Sequence, residues 1–158
     1  MIAVVQRVLE ARVVVDGRVV GEIGEGLVVL AAVERADELV DVEWTAGKIA
    51  GLRIFRSADG VKHFDRDVRE VGGGLLLVSN FTVAAETRKG RRPSLENAAS
   101  PERGREMFDQ FVAAVRREAA RARVETGEFG ADMKVSLVND GPVTFIVKSA
   151  TPEVERAT

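Results

Sequence analysis

The chain opens on "IAVVQRVLEARVVVD", a valine-rich run broken by polar Gln6, Arg7 and Glu10. Asp16-Gly17 follows, a pair suited to a two-residue hairpin turn, and "RVVGEIGEG" then leads into "LVVLAAV". This pattern predicts a meander of three strands. From Asp37 onward, Leu39, Val42, Ala46 and Ile49 recur every three or four residues, which predicts a helix with one apolar stripe ending near Gly51. A loop-rich stretch around Asp59-Gly60 gives way to "GGG" at 72–74 and to "LLLVSNF", read as a buried strand. Ser100-Pro101 reads as an N-cap with proline at the first helical position, and Phe108, Phe111, Val112, Val115 and Ala119 supply a helix face to about Ala122. The segments "VETGEF", "DMKVSLVN" and "PVTFIVK" read as strands, and Gly141-Pro142 between the last two reads locally as a hairpin turn. Grouped strands with two helices that do not alternate with them predict a single α+β domain with a mostly antiparallel or mixed sheet. It is placed at 1–148, with 149–158 as a loose C-terminal tail.

Composition narrows the chemistry. With 158 residues and 46% of them hydrophobic, the chain has enough apolar material for one full core. No run of eighteen apolar residues occurs, and the polar breaks near the start suit neither a membrane span nor a signal peptide, so a cytoplasmic location without membrane contact is expected. The absence of cysteine removes disulfides, thiolate chemistry and cysteine-bound zinc. With one histidine and no tyrosine as well, catalysis has to lean on carboxylates, backbone or substrate. A net charge of -2 argues against coating long nucleic acid, and DNA is not an expected partner; a local basic patch remains allowed.

Three stretches carry candidate chemistry. In "LLLVSNFTVAAE" a buried strand ends at Ser79 and runs into Asn80, Phe81 and Thr82. Hydroxyls and free backbone N–H groups at such an end can hold a developing oxyanion, although polar residues also simply terminate strands. "RKGRRP" gathers Arg88, Lys89, Arg91 and Arg92 around a glycine, either as a solvated loop or as a phosphate contact. Arg116, Arg117, Arg121 and Arg123 either extend that patch or are solvated helix residues. His63 in "VKHFDRDV" reads as an ordinary loop or strand histidine, and the pairs Asp65/Asp67 and Glu153/Glu155 read as solvated surface. In "SLVNDGPVTF", Asn139, Gly141, Pro142 and Thr144 crowd together around an X-Pro bond, where a cis peptide is affordable and would aim two successive carbonyls almost the same way.

Together, "SNFT" at 79–82 and "NDGPVT" at 139–144 resemble the D-aminoacyl-tRNA deacylases, whose signatures are a Ser-Gln stretch closing on Thr and Asn-x-Gly-Pro-x-Thr. The similarity also runs through "AVVQRV", "GEIGEGLVVL", "RIF", "AAET", "RPS", "ASPERG" and "ADMKVSLVNDGP", and so covers about residues 1–148. Asn80 departs from the family's glutamine by one methylene. The resemblance implies a homodimeric, barrel-like α+β domain in which Gly141-Pro142 of one subunit enters the pocket of the other. It implies metal-free hydrolysis of the ester between a D-amino acid, or misattached glycine, and the terminal ribose of tRNA. Ser79, Asn80, Phe81 and Thr82 would form the catalytic stretch, with backbone N–H groups around Phe81 and Thr82 for the oxyanion; the Thr82 side chain either attacks or only positions groups, and with no histidine in its motif to deprotonate it positioning is favoured. Asn139, Gly141, Pro142 and Thr144 would select chirality, with Arg7 bracing the Gly-Pro and Met133 close by. The basic cluster would then meet the tRNA acceptor end. The rival reading is a non-catalytic, dimeric tRNA-end or RNA-binding module that has lost hydrolysis.

Overall fold

In the computed structural model, which describes residues 1–149, β1 (Ile2–Val15) turns through Asp16-Gly17 into β2 (Arg18–Ile23). Asp16 and Gly17 both take positive φ, 49° and 75°, the backbone of the hairpin turn that this pair favours. The chain continues into β3 (Gly26–Ala32), so β2 pairs with the C-terminal half of β1 and β3 with its N-terminal half, both antiparallel. The predicted meander is thus one long strand facing a partner in two pieces. β4 (Gly74–Ser79) runs parallel to β3, and β5 (Val124–Thr126) runs parallel to β4. β6 (Lys134–Lys148) lies antiparallel along the other edge of β1. The sheet is therefore mixed, as expected.

It is also nearly closed. A Cβ on Gly21 of β2 would sit 2.5 Å from the carbonyl oxygen of Thr126, so only glycine lets β2 approach β5 this closely. Side chains alternate across the curled sheet. Leu27, Val29, Leu75 and Leu77 face a large core with Ile49, Phe55 and Phe111, while Val28, Leu76 and Val78 face a second cluster inside the curl. β1 serves both clusters by changing parity: Ala3 and Val5 join the first, whereas Val8, Ala11 and Val13 join the second. A register shift between Val8 and Glu10, an extra residue in the strand, allows this.

Helices α1 (Leu39–Gly51) and α2 (Pro101–Glu118) cover the first cluster. α1 starts after Asp37 because that carboxylate is already engaged by the Met1 amino group and by the N–H of Glu34, so Glu38 and Asp41 form the capping box instead. Burial is the main influence on Asp37 and raises its pKa, with these bonds opposing it. α2 begins as predicted, with the Ser100 hydroxyl accepting from the N–H of Arg103 and Pro101 in the first turn. It ends at Glu118, short of Ala122, because the chain must turn there to bring Val124 beside Leu75. Among the described residues no helix is long and apolar enough to cross a membrane.

Several local expectations change. "VETGEF" yields only the three residues of β5. The two closing runs form the single strand β6, so Gly141-Pro142 is no hairpin turn: both flanks pair with β1 instead of with each other. Asp67 is buried rather than solvated; its carboxylate accepts from the Arg69 guanidinium at 2.6 Å and from the N–H groups of Arg69 and Glu70. The Arg69 hydrogen bond holds its pKa below the ordinary value. Ser149 is buried and donates its N–H to the Met1 carbonyl. The rest of the expected tail, including Glu153 and Glu155, lies outside the described residues.

Candidate active site

Where β4 ends, the N–H of Asn80 donates to the Ala31 carbonyl, and the chain winds into a short 3-10 turn, Phe81–Ala84. The first N–H groups of any such turn lack partners within it, and the Asn80 side chain does not cap them. Phe81 and Thr82 therefore offer backbone donors at an exposed strand end. The Thr82 hydroxyl donates to Asn80 Oδ1 at 2.5 Å, so its proton goes to an amide oxygen and not to a base. A threonine held this way is suited to positioning and poorly suited to attack. The shorter amide of Asn80 is thereby turned back onto its own loop.

Two clefts flank this turn. One, of about 390 Å³, lies between the Ser79–Phe81 stretch, the start of α2 and Phe129; the other, of about 410 Å³, lies between that stretch and Val135 and Leu137 of β6. Met133 and Ala131 line both, which places Met133 beside the turn. Phe129 is held by Phe108, 6.1 Å away between ring centroids, and by the Arg105 guanidinium 4.7 Å above its ring. Phe81 is 59% exposed, an unusual position for so large an apolar side chain at a polar strand end.

The second signature is a wide bulge in β6. Gln6 is level with Thr144 and Val8 with Asn139, so β6 spends five residues where β1 spends two. Within the bulge the Gly141-Pro142 peptide is cis and both residues are exposed. Asn139 spans it: Oδ1 accepts from the N–H of Val143 at 2.7 Å, and Nδ2 faces the Val143 carbonyl at 3.1 Å and Thr144 Oγ1 at 3.2 Å. Arg7, buried, donates through Nε to the Asp140 carbonyl at 3.0 Å and through Nη1 to the Ile54 carbonyl at 2.7 Å. Its guanidinium also lies 3.3 Å from the Asp140 carboxylate.

The two signatures do not share a cleft within one chain. Ser79 is level with Ala31, Ala3 and Val147, whereas the bulge sits near Val8, level with Gly26 and Gly74 at the other end of β4. Neither cleft beside Ser79 includes a bulge residue.

Arg88, Lys89, Arg91 and Arg92 are all exposed on a loop that leaves the 3-10 turn, reverses at Gly90 and closes through paired backbone bonds between Glu86 and Ser94. The returning chain supplies Leu95 and Ala98 to the larger apolar cleft, so the basic loop is tied to the site at both ends. Arg117 and Arg123 pair instead with Glu43 and Glu125. His63 stays exposed, 3.2 Å from Arg56, while neighbouring Phe64 meets Phe145 edge-on at 5.9 Å. Sequence reading passed over Gln6, Asp140, Val143 and Phe129. For Gln6 the available signal was a polar side chain inside an apolar strand.

A family model described as D-Tyr-tRNA(Tyr) deacylase matches residues 4–148. The chain belongs to this family. It is 54% identical over 148 residues to the D-aminoacyl-tRNA deacylase of Pelobacter propionicus, covering 94% of this chain and 99% of that one. Identity to the corresponding protein of Geobacter metallireducens is 53% over 149 residues, covering 94% and 96%. The solved structure of the c-Myc DNA Unwinding Element Binding Protein superposes with a TM-score of 0.90 at 35% identity, covering 94% of this chain and 99% of that one. The enzyme is thus a hydrolase of ester bonds, a D-aminoacyl-tRNA deacylase, with aminoacyl-tRNA as its partner.

Proposed function

We propose that the Ser79–Thr82 turn and the Gly141-Pro142 bulge are two halves of one deacylation site, completed between two copies of the chain. The observation that carries this is their separation: each has the chemistry of half a site and neither cleft unites them. Val135, Val138, Phe145 and Ile146 are exposed on β6, an edge strand that among the described residues pairs only with β1, and such apolar edges are commonly covered by another chain.

In the completed site, water adds to the ester carbonyl carbon, and the N–H groups of Phe81 and Thr82 hold the oxygen that gains charge. Collapse of this intermediate breaks the bond to the ribose oxygen, which takes a proton; the neighbouring ribose hydroxyl is close enough to assist, so a base-poor protein suffices. Thr82 and Asn80 hold the acyl end in place. The bulge from the other copy presents backbone carbonyls to the substrate ammonium and fills the space an L side chain would need. Glycine, lacking a side chain, passes this filter.

Purified protein incubated with D-tyrosyl-, glycyl- and L-tyrosyl-tRNA should release the first two amino acids and spare the third. Binding of tRNA without ester loss would instead identify a module that has lost hydrolysis. The basic loop is assigned to the acceptor end. Replacing Arg91 and Arg92 with glutamine should raise KM and reduce its salt dependence by about two phosphate contacts, with kcat little changed. An unchanged salt slope would leave the loop merely solvated.

A further inference from the structure

We infer that Gln6 is a positioning residue that ties the chirality-selecting bulge to the buried strand β1; the inference rests on the reading of Gly141-Pro142 as the selector. Within the bulge, Asp140 to Val143 have no ladder partner on β1, so their backbone groups need bonds from elsewhere. Asn139 supplies both the N–H and the C=O of Val143 with a partner from one amide. These bonds are internal: Asn139 and Val143 lie on the same strand and would move together.

Gln6 supplies what they lack. Its Oε1 accepts from Asn139 Nδ2 at 3.1 Å, and Gln6 belongs to β1, which is paired along both edges. That contact also favours one orientation of the Asn139 amide. Rotated end for end, Asn139 would set oxygen against oxygen at Gln6 and an NH₂ against the Val143 N–H. Successive side chains on a strand point to opposite faces, so Gln6 and Arg7 take hold from the two sides of the sheet. Gln6 engages Asn139 at the base of the bulge, and Arg7 engages the Asp140 carbonyl one residue on.

Gln6→Met tests this, because methionine keeps the length and approximate volume but offers no comparable acceptor, while Gln6→Glu retains an acceptor oxygen. With D- and L-tyrosyl-tRNA, Gln6→Met should lower kcat for the D substrate by about tenfold and the D-to-L preference by a similar factor, through displacement of the selector, with KM changing less than about threefold. Gln6→Glu should stay within about threefold of wild type in both rate and preference. Unchanged rate and preference in Gln6→Met would overturn the assignment, as would equal losses in both variants. The wild-type protein gives a reading that needs no variant to fold: the Asn139 side-chain NH₂ should exchange with solvent more slowly than exposed asparagine amides. Exchange at the exposed rate would overturn the clamp. A wild type inert toward D-tyrosyl-tRNA would defeat the proposed function instead, and the Asn139 exchange rate would still decide the clamp.

Discussion

Two chains that are each nearly inactive should restore one another. Ala131 lines both clefts beside the Ser79–Phe81 stretch, so Ala131→Trp fills them while leaving the bulge intact. Gly141→Ala damages the bulge and leaves the clefts open. If each site takes its turn from one copy and its bulge from the other, a mixed dimer holds one doubly damaged site and one wholly intact site. Co-refolding equal amounts gives half mixed dimers with one working site in two, so about a quarter of wild-type activity should return. A site built within one chain predicts no recovery, because every turn–bulge pair then carries one lesion. Activity of the co-refolded mixture, set against each variant refolded alone, decides between the two.

Much of the fold is legible because the deciding signals are local. Asp16-Gly17 makes its turn from its own backbone preferences, and Ser100-Pro101 starts α2 with its own hydroxyl and ring. The misreadings arise where distant pairing decides. Asn, Asp, Gly and Pro in succession look alike in a hairpin and in a bulge; what distinguishes them is whether the flanking strands pair with each other or with a third, here β1, more than 130 residues earlier. Asp67 was misread for a similar reason, since only the folded chain shows it buried and satisfied by Arg69. For the proposed site, "SNFT" and "NDGPVT" stand out in the sequence, but Gln6 gains its meaning only from the strand register that sets it opposite Thr144.

The second large effect is expected from Gly141→Ala alone. Gly141 has a φ of +151°, where residues with a side chain are rarely found, and its would-be Cβ lies 2.6 Å from Val143 Cγ2 and 2.7 Å from the Val143 backbone nitrogen. That nitrogen cannot step aside freely, because its N–H is held by Asn139 Oδ1 at 2.7 Å. The added methyl must therefore displace the segment itself, at a cost on the order of 1–3 kcal/mol in local strain. Global stability should change little more than this, since Gly141 is exposed and outside both core clusters. Function should suffer far more. A displacement near 1 Å at a positioning element can cost about a hundredfold, so kcat/KM for D-tyrosyl-tRNA should fall by about that factor. The preference over L-tyrosyl-tRNA should shrink with it, because in the proposed site the same backbone both receives the ammonium and excludes the L side chain. Kinetics on both enantiomers, with sedimentation and a melting curve on the same sample, separate this from misfolding. A folded variant that retains wild-type rate and preference would mean that the bulge, whatever its conformation, does not face the substrate.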